Sequence, residues 1–149
     1  MLTNKGKYGL KAMIHLAALE AGQIAMGAEI AAANNIPKKF LDAILLELRN
    51  AGMVRTKKGP GGGYALSQSP KNIRVGHIIR ALDGPLAPIQ CASKSAFVPC
   101  EDCRDLPSCE VRITMAKVRD AISDILDRMT LEEMVAFGKT AHPDLMYHI

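Results

Sequence analysis

The sequence predicts a mainly α chain: a winged helix-turn-helix DNA-binding domain with a two-stranded wing, then a long C-terminal helix suited to dimerisation. Three observations carry that expectation. Asn34-Asn35-Ile36-Pro37 separates a short alanine-rich segment from a longer one with an apolar stripe and a polar face. A glycine-rich tip, Lys57-Lys58-Gly59-Pro60-Gly61-Gly62-Gly63, stands between two short β-type runs. Val111, Met115, Val118, Ile122, Ile125 and Met129 then alternate spacings of four and three, the rhythm of a coiled-coil seam.

Taken in order, Leu10, Met13, Ile14 and Ala17 recur at helical spacing, so an amphipathic first helix is expected from about Thr3 to Glu20, ending near Gly22. A second, short helix fits Ala28 to Ala33. Pro37 suits the first position of a third helix, where its missing N–H is not needed. Leu41, Ile44, Leu45 and Leu48 form that helix's buried stripe, and Asn50-Ala51-Gly52 stops it. Met53–Thr56 and Tyr64–Leu66 read as the wing strands. Ser69-Pro70 leads to a helix near Val75–Leu82, closed by Asp83-Gly84-Pro85. A long helix starts at Glu110, and Thr130-Leu131-Glu132-Glu133 has the form of a capping box opening a last short helix. The seam of the long helix suits either a second copy of the chain or the chain's own first helix, and a dimer interface is the favoured expectation. The expected divisions are 1–84 for the winged domain, 85–109 for a cysteine-rich loop, 110–137 for the dimerisation and capping helices, and 138–149 for a loosely held tail.

A chain of 149 residues buries one substantial core with an extension. Charge divides it unevenly. Residues 1–80 hold 12 Lys and Arg against 4 Asp and Glu, while residues 81–149 hold 7 against 11. The first half therefore suits a polyanion, and the second is free for oligomerisation. Lys11 and His15 interrupt the apolar run Tyr8–Leu19, so no secretory signal is read there, and no stretch approaches a membrane span. The cytoplasm is the expected compartment.

All four cysteines fall within nineteen residues, spaced Cys91-x8-Cys100-x2-Cys103-x5-Cys109. In a reducing compartment such a cluster more often binds metal than forms structural disulfides. Iron–sulphur and zinc ligation are equally open from the residues alone, since four thiolates serve both. A bare thiol switch ranks behind them. Cys100-x2-Cys103 lies in no βαβ setting, which argues against a thioredoxin-like enzyme, and no Gly-Lys-Ser/Thr follows the glycine tip to make a nucleotide loop. No nucleophile–base–orienter set is apparent, so an enzyme is not expected. His15, His77, His142 and His148 read as helix, surface or tail residues and are not assigned to metal.

For DNA, the first turns of the third helix present Lys38, Lys39, Asp42 and Ala43 to base edges, with Arg49 and Arg55 nearer the backbone. Lys57 and Lys58, with Gly61 and Gly62 allowing close approach, would meet phosphate or the minor groove.

The order of parts and a set of residues resemble one family closely. The residues are Leu2-Thr3, Tyr8-Gly9-Leu10, Ile36-Pro37, Phe40-Leu41, Leu48, Ala51-Gly52, Gly59, Gly62-Gly63-Tyr64-Ala65-Leu66, Pro70, Ile73, Val75, Ile78-Ile79 and Leu82-Asp83-Gly84-Pro85. Over about residues 2–135 the chain is similar to the IscR/NsrR/RirA-type winged-helix regulators, the Rrf2 family. The resemblance implies a homodimer that crosses its long helices, a palindromic double-stranded DNA operator, and an iron–sulphur cluster, 2Fe–2S or 4Fe–4S, near the dimer interface. It implies a transcription regulator that senses iron or cluster supply, redox state or nitric oxide, and a repressor is the favoured expectation. It also implies an alternative, since some members carry no cluster and answer to a metabolic enzyme that docks on them; a zinc-stapled loop would belong to that reading.

Three family cysteines correspond to Cys91, Cys103 and Cys109, leaving Cys100 as a surplus thiol. Certain members use a His three residues after the last cysteine, where this chain has Arg112, and others an acidic residue near the N-terminus, where it has Lys7. A guanidinium or ammonium has no lone pair to give. The expected ligand set is therefore Cys91, Cys100, Cys103 and Cys109, with zinc as the less favoured metal.

Overall fold

A computed structural model describes residues 2–141 of the chain. Helix α1 spans Asn4–Ala17, with Thr3 as N-cap accepting from the Gly6 N–H at 3.2 Å. The Thr3 N–H donates to the Asp83 carboxylate at 2.9 Å, and its hydroxyl does so as well. The start of the chain is thereby tied to a residue eighty positions later. The helix ends three residues short of Glu20, in a turn where the Glu20 N–H donates to the Gln23 side chain at 3.0 Å.

Helices α2 (Gly27–Asn34) and α3 (Lys38–Asn50) form the helix-turn-helix. Asn35 makes the turn in the left-handed region at φ 53°, which asparagine tolerates better than most residues. Pro37 is the N-cap of α3 rather than its first helical residue. The wing follows as β1 (Val54–Lys57) and β2 (Gly63–Leu66), antiparallel, with Val54 opposite Leu66 and Lys57 opposite Gly63. Ala25 and Tyr64 exchange backbone hydrogen bonds of 2.9 and 2.8 Å, so the segment leading into α2 is stitched to the wing. A short 3-10 turn at Pro70–Asn72 precedes α4 (Val75–Asp83), and another at Gln90–Ala92 opens the cysteine segment. Neither turn carries a periodic signal in the sequence. Helix α5 spans Glu110–Arg128 and α6 spans Leu131–Thr140, capped by the expected Thr130–Glu133 box. Gly138, expected in a loose tail, lies inside α6; the rest of that tail, 142–149, falls outside the described residues.

One core joins these elements. Met13, Ile30, Leu41, Ile44, Leu45, Leu48, Val75 and Ile78 are all but completely buried, and Leu131 of α6 joins them at 0% exposure. It is α6, not α5, that packs on α1. Helix α5 has no buried residue. Its C-terminal end is pinned by backbone bonds from Val75 N–H to the Met129 carbonyl (3.0 Å) and from Leu131 N–H to the Ile73 carbonyl (2.9 Å). Arg74 donates to the Arg128 carbonyl at 2.7 Å. Arg80 makes a two-pronged bond to Asp127 at 2.5 and 2.9 Å, which lowers the Asp127 pKa and raises that of Arg80.

A carboxylate with a lowered folded pKa contributes stability above its unfolded pKa and loses it as pH falls through the folded value. At neutral pH Asp127→Asn should cost about 0.5–1 kcal/mol, because the pair is partly screened by solvent. Chemical unfolding at a series of pH values should show that difference shrinking once pH drops below about 4.

Candidate nucleic-acid interface and cysteine segment

The apolar stripe of α3 faces inward, which turns Lys38, Lys39, Asp42, Ala43 and Arg49 outward, as the helical period requires. Lys38 donates to both carboxylate oxygens of Asp42, at 2.7 and 2.9 Å, one turn along the helix. The sequence reading left out two exposed apolar residues of α3, Phe40 at 62% and Leu46 at 49%. Leu46 lies one turn from Asp42 and Ala43, so it shares their face. The signal was available, since both residues fall off the 41/44/45/48 stripe. Met26, just before α2, is likewise 54% exposed.

Arg49 of α3, Lys57 and Lys58 of the wing, and Gly59 and Gly62 line one groove of about 360 Å³, with Met26 and Gly27 on its other side. A cationic groove between a recognition-type helix and a hairpin tip suits a phosphate backbone. Arg55 goes elsewhere. It lines a separate groove with Glu20, Gln23 and Gln68, so the structure does not bring it to Arg49, Lys57 and Lys58. Gly59 and Gly61 hold the wing tip at φ 90° and 72°, where a side chain would be strained. Gly62 is fixed by space instead, since a Cβ there would meet the Lys57 carbonyl oxygen at 2.1 Å and the Gly59 oxygen at 2.8 Å.

All four cysteines are free. Cys91 is 4% exposed within the Gln90–Ala92 turn, Cys100 is exposed, and Cys103 and Cys109 are half-buried. The Val98 N–H donates to the Gln90 carbonyl at 3.4 Å, folding the segment back towards the turn. Cys100 thereby neighbours Cys91, whose thiol, ahead of Asp102 and Cys103, pushes the Cys100 thiol above its ordinary range. Cys109 is the N-cap of α5, its sulphur accepting from the Arg112 N–H at 3.5 Å. Among the described residues, no three of His, Cys, Asp and Glu gather closely enough to hold a metal ion. The structure thus brings Cys91 to Cys100 but does not collect all four thiols. The Asn34 side-chain amide donates to His15 Nδ1 at 3.2 Å in the helical domain, and His77 is exposed on α4; His142 and His148 lie outside the described residues.

Along α5, Val111 and Ile125 are 61% and 60% exposed, Val118 is exposed, and Met115 and Ile122 are half-buried. Met129 differs from the other seam residues, because it sits at the C-cap and packs against the chain's own core.

A helix-turn-helix, a stitched-on wing and a cationic groove between them define a winged-helix DNA-binding transcription regulator. The chain is 41% identical over 144 residues to an rrf2-like HTH-type regulator of Rhodobacter capsulatus, covering 95% of this chain and 96% of that one. Among solved structures it is similar to CymR, the global cysteine regulator of B. subtilis, with TM-score 0.74, 34% identity, and coverage of 92% of this chain and 97% of that one. It is also similar to T. potens IscR, with TM-score 0.72, 28% identity, and coverage of 99% and 96%. The family model for Rrf2, described as an iron-dependent transcriptional regulator, matches residues 2–136, and the chain belongs to the Rrf2 family. These relatives are transcription regulators. No helix among the described residues is long and apolar enough to cross a membrane.

Gly62→Ala should open the wing tip while leaving the core untouched. DNA affinity measured by fluorescence anisotropy should fall about tenfold, with a melting temperature within a few degrees of wild type.

Proposed function

We propose that this chain is a cytoplasmic, homodimeric repressor of transcription whose grip on a palindromic operator is set by an iron–sulphur cluster held by Cys91, Cys100, Cys103 and Cys109. The observation that carries this reading is the donor set: four free thiols on one nineteen-residue segment, leading directly into the helix with the exposed apolar seam. The donor chemistry fits, since thiolates are the usual protein ligands of such clusters. When bound, the cluster supplies a centre whose presence and oxidation state respond to iron, redox poise or nitric oxide. The chain's own residues do the rest. Because the four thiols are not gathered together in this structure, the segment has to rearrange to hold the cluster. It runs into the N-cap of α5, so its rearrangement reaches the helix whose Val111, Met115, Val118, Ile122 and Ile125 would meet a second copy. The proposed division of the chain is a winged domain over 1–84, the cysteine segment over 85–109, and the dimerisation helix with its capping helix over 110–137.

On DNA, Lys38, Lys39, Asp42 and Ala43 would read base edges, while Arg49, Lys57, Lys58, Gly61 and Gly62 would position the backbone. Arg55 would reach DNA only from the flank of the wing. Each phosphate neutralised contributes a log–log salt slope of about −0.9. Lys57→Ala should therefore weaken binding alike on every duplex and flatten the salt slope by about one. Substitutions at Lys39 or Asp42 should change base preference by about 1–3 kcal/mol at the positions they touch. Equal losses on every duplex from both kinds of variant would sink this division of labour.

A second reading has one observation in its favour: the similarity to CymR, named a cysteine regulator, together with thiols that are not pre-gathered. In it the loop is bare or zinc-stapled and a metabolic enzyme docks on the chain. Iron, acid-labile sulphide and zinc content of anaerobically purified protein separate the two. Iron with sulphide in wild type, lost in Cys100→Ala, is the expected result; zinc, or no metal after reconstitution, would replace the first reading with the second.

A further inference from the structure

The position three residues after Cys109 is Arg112, a residue unable to ligate a metal, and the structure gives it a different task. Its Nε donates to the carbonyl oxygen of Cys91 at 2.9 Å. Seven residues further along α5, Arg119 donates from Nη1 to the carbonyl oxygen of Ala92, with 15% of its side chain exposed. Residues seven apart on a helix lie on one face, about 10 Å apart along the axis, whereas consecutive Cα atoms are only about 3.8 Å apart. The two guanidinium groups therefore converge from two turns of helix onto one dipeptide. Both members of that dipeptide, Cys91 and Ala92, are buried. It cannot slide along α5 or rotate without breaking one bond or both.

Arg112 reaches the second limb of the segment too. Its guanidinium lies 6.0 Å from the centroid of the Phe97 ring, three residues before Cys100. Arg119 is steadied from behind by Asp120, which accepts from its Nε and Nη2 at 2.9 and 2.7 Å. These bonds hold the buried Cys91–Ala92 dipeptide where its turn packs on α5. Helix α5 buries no residue against its own chain, and its anchors to α4 lie at its other end, around Asp127 and Met129.

We infer that Arg112 and Arg119 are positioning residues that couple the state of the cysteine segment to the placement of α5, and through it to DNA affinity. The inference rests on the proposed cysteine-controlled function and adds the residues that transmit the signal. A change at Cys91 or Cys100 shifts the 91–92 carbonyls or the Phe97 limb, and the two guanidinium groups carry that shift into the N-terminal half of α5. The C-terminal end of α5 stays pinned to α4 by Arg80 and Asp127, so the helix pivots against the winged domain instead of drifting free.

The test uses the full-length protein, wild type beside Arg112→Gln, Arg119→Gln and the double variant. The DNA probe is a duplex selected from a random pool by the wild-type protein. Affinity is measured for protein reconstituted with ferrous iron and sulphide and for metal-free protein, alongside metal content, absorption spectrum and melting temperature. Wild type should show a ratio of about tenfold or more between the two states, within the usual range for coupled sites. The variants should keep metal content, spectrum and metal-free affinity, yet show a ratio of about twofold or less. The single variants keep the test open if the double variant does not fold. A variant that retains the wild-type ratio overturns the coupling. If wild type takes up no iron and sulphide, the cluster reading fails on its own, and the same ratio is read between thiol-reduced and diamide-oxidised protein. No ratio in wild type under either treatment overturns the coupling as well.

Discussion

A helix of nineteen residues that buries none of them in its own chain is the constraint around which this molecule is arranged. Helix α5 offers the core only half-buried side chains such as Leu126, so polar links carry much of its attachment. At the C-terminal end the Arg80–Asp127 pair, the Arg74 bond and the backbone links around Met129 fasten it to α4. Arg112 in its first turn and Arg119 at its midpoint fasten it to the cysteine turn. Polar links can be made and broken without leaving a hole, whereas a packed core resists small displacements.

The same arrangement relates the two halves of the chain. Helix α4 stands between them, packing against α1 and α3 on one side and α5 on the other. The Thr3–Asp83 bonds close the far end of that path by tying the start of α1 to the last residue of α4. Recognition helix, α4 and α5 are thus consecutive in space although the wing and the cysteine segment intervene in sequence. The basic groove lies at one end of this series and the thiols at the other, which is the separation of charge that residues 1–80 and 81–149 already display.

Much of this was legible in the residues. The stripes Leu10–Met13 and Leu41–Leu48, the glycine tip, the capping box at Thr130 and the seam from Val111 each encode a local rule, and each element formed within a few residues of its expected place. What escaped depends on partners distant in sequence. Whether Arg55 turns towards the wing groove or towards Glu20 is decided by strand register and by the α1–α2 turn, neither of which an isolated arginine announces. Arg112 and Arg119 read only as charges on a helix, because a carbonyl acceptor leaves no trace in the sequence. Met129 continues the seam by spacing, yet the backbone leaves the helix there and carries its side chain into the core. The gathering of the thiols was not legible either, since spacing specifies how far apart cysteines can be and not how near they stand.

Leu131 is the last fully buried core residue along the described chain, and every other member of that core precedes residue 83. A protein is synthesised from its N-terminus, and a domain closes only when its last structural residue is available. Here the winged domain waits for Leu131, and all four cysteines leave the ribosome before it does. The thiol-bearing segment therefore meets the surrounding solution while the DNA-reading half is still incomplete, so the chemistry of the newborn chain's surroundings can act on the thiols before the regulator has finished folding.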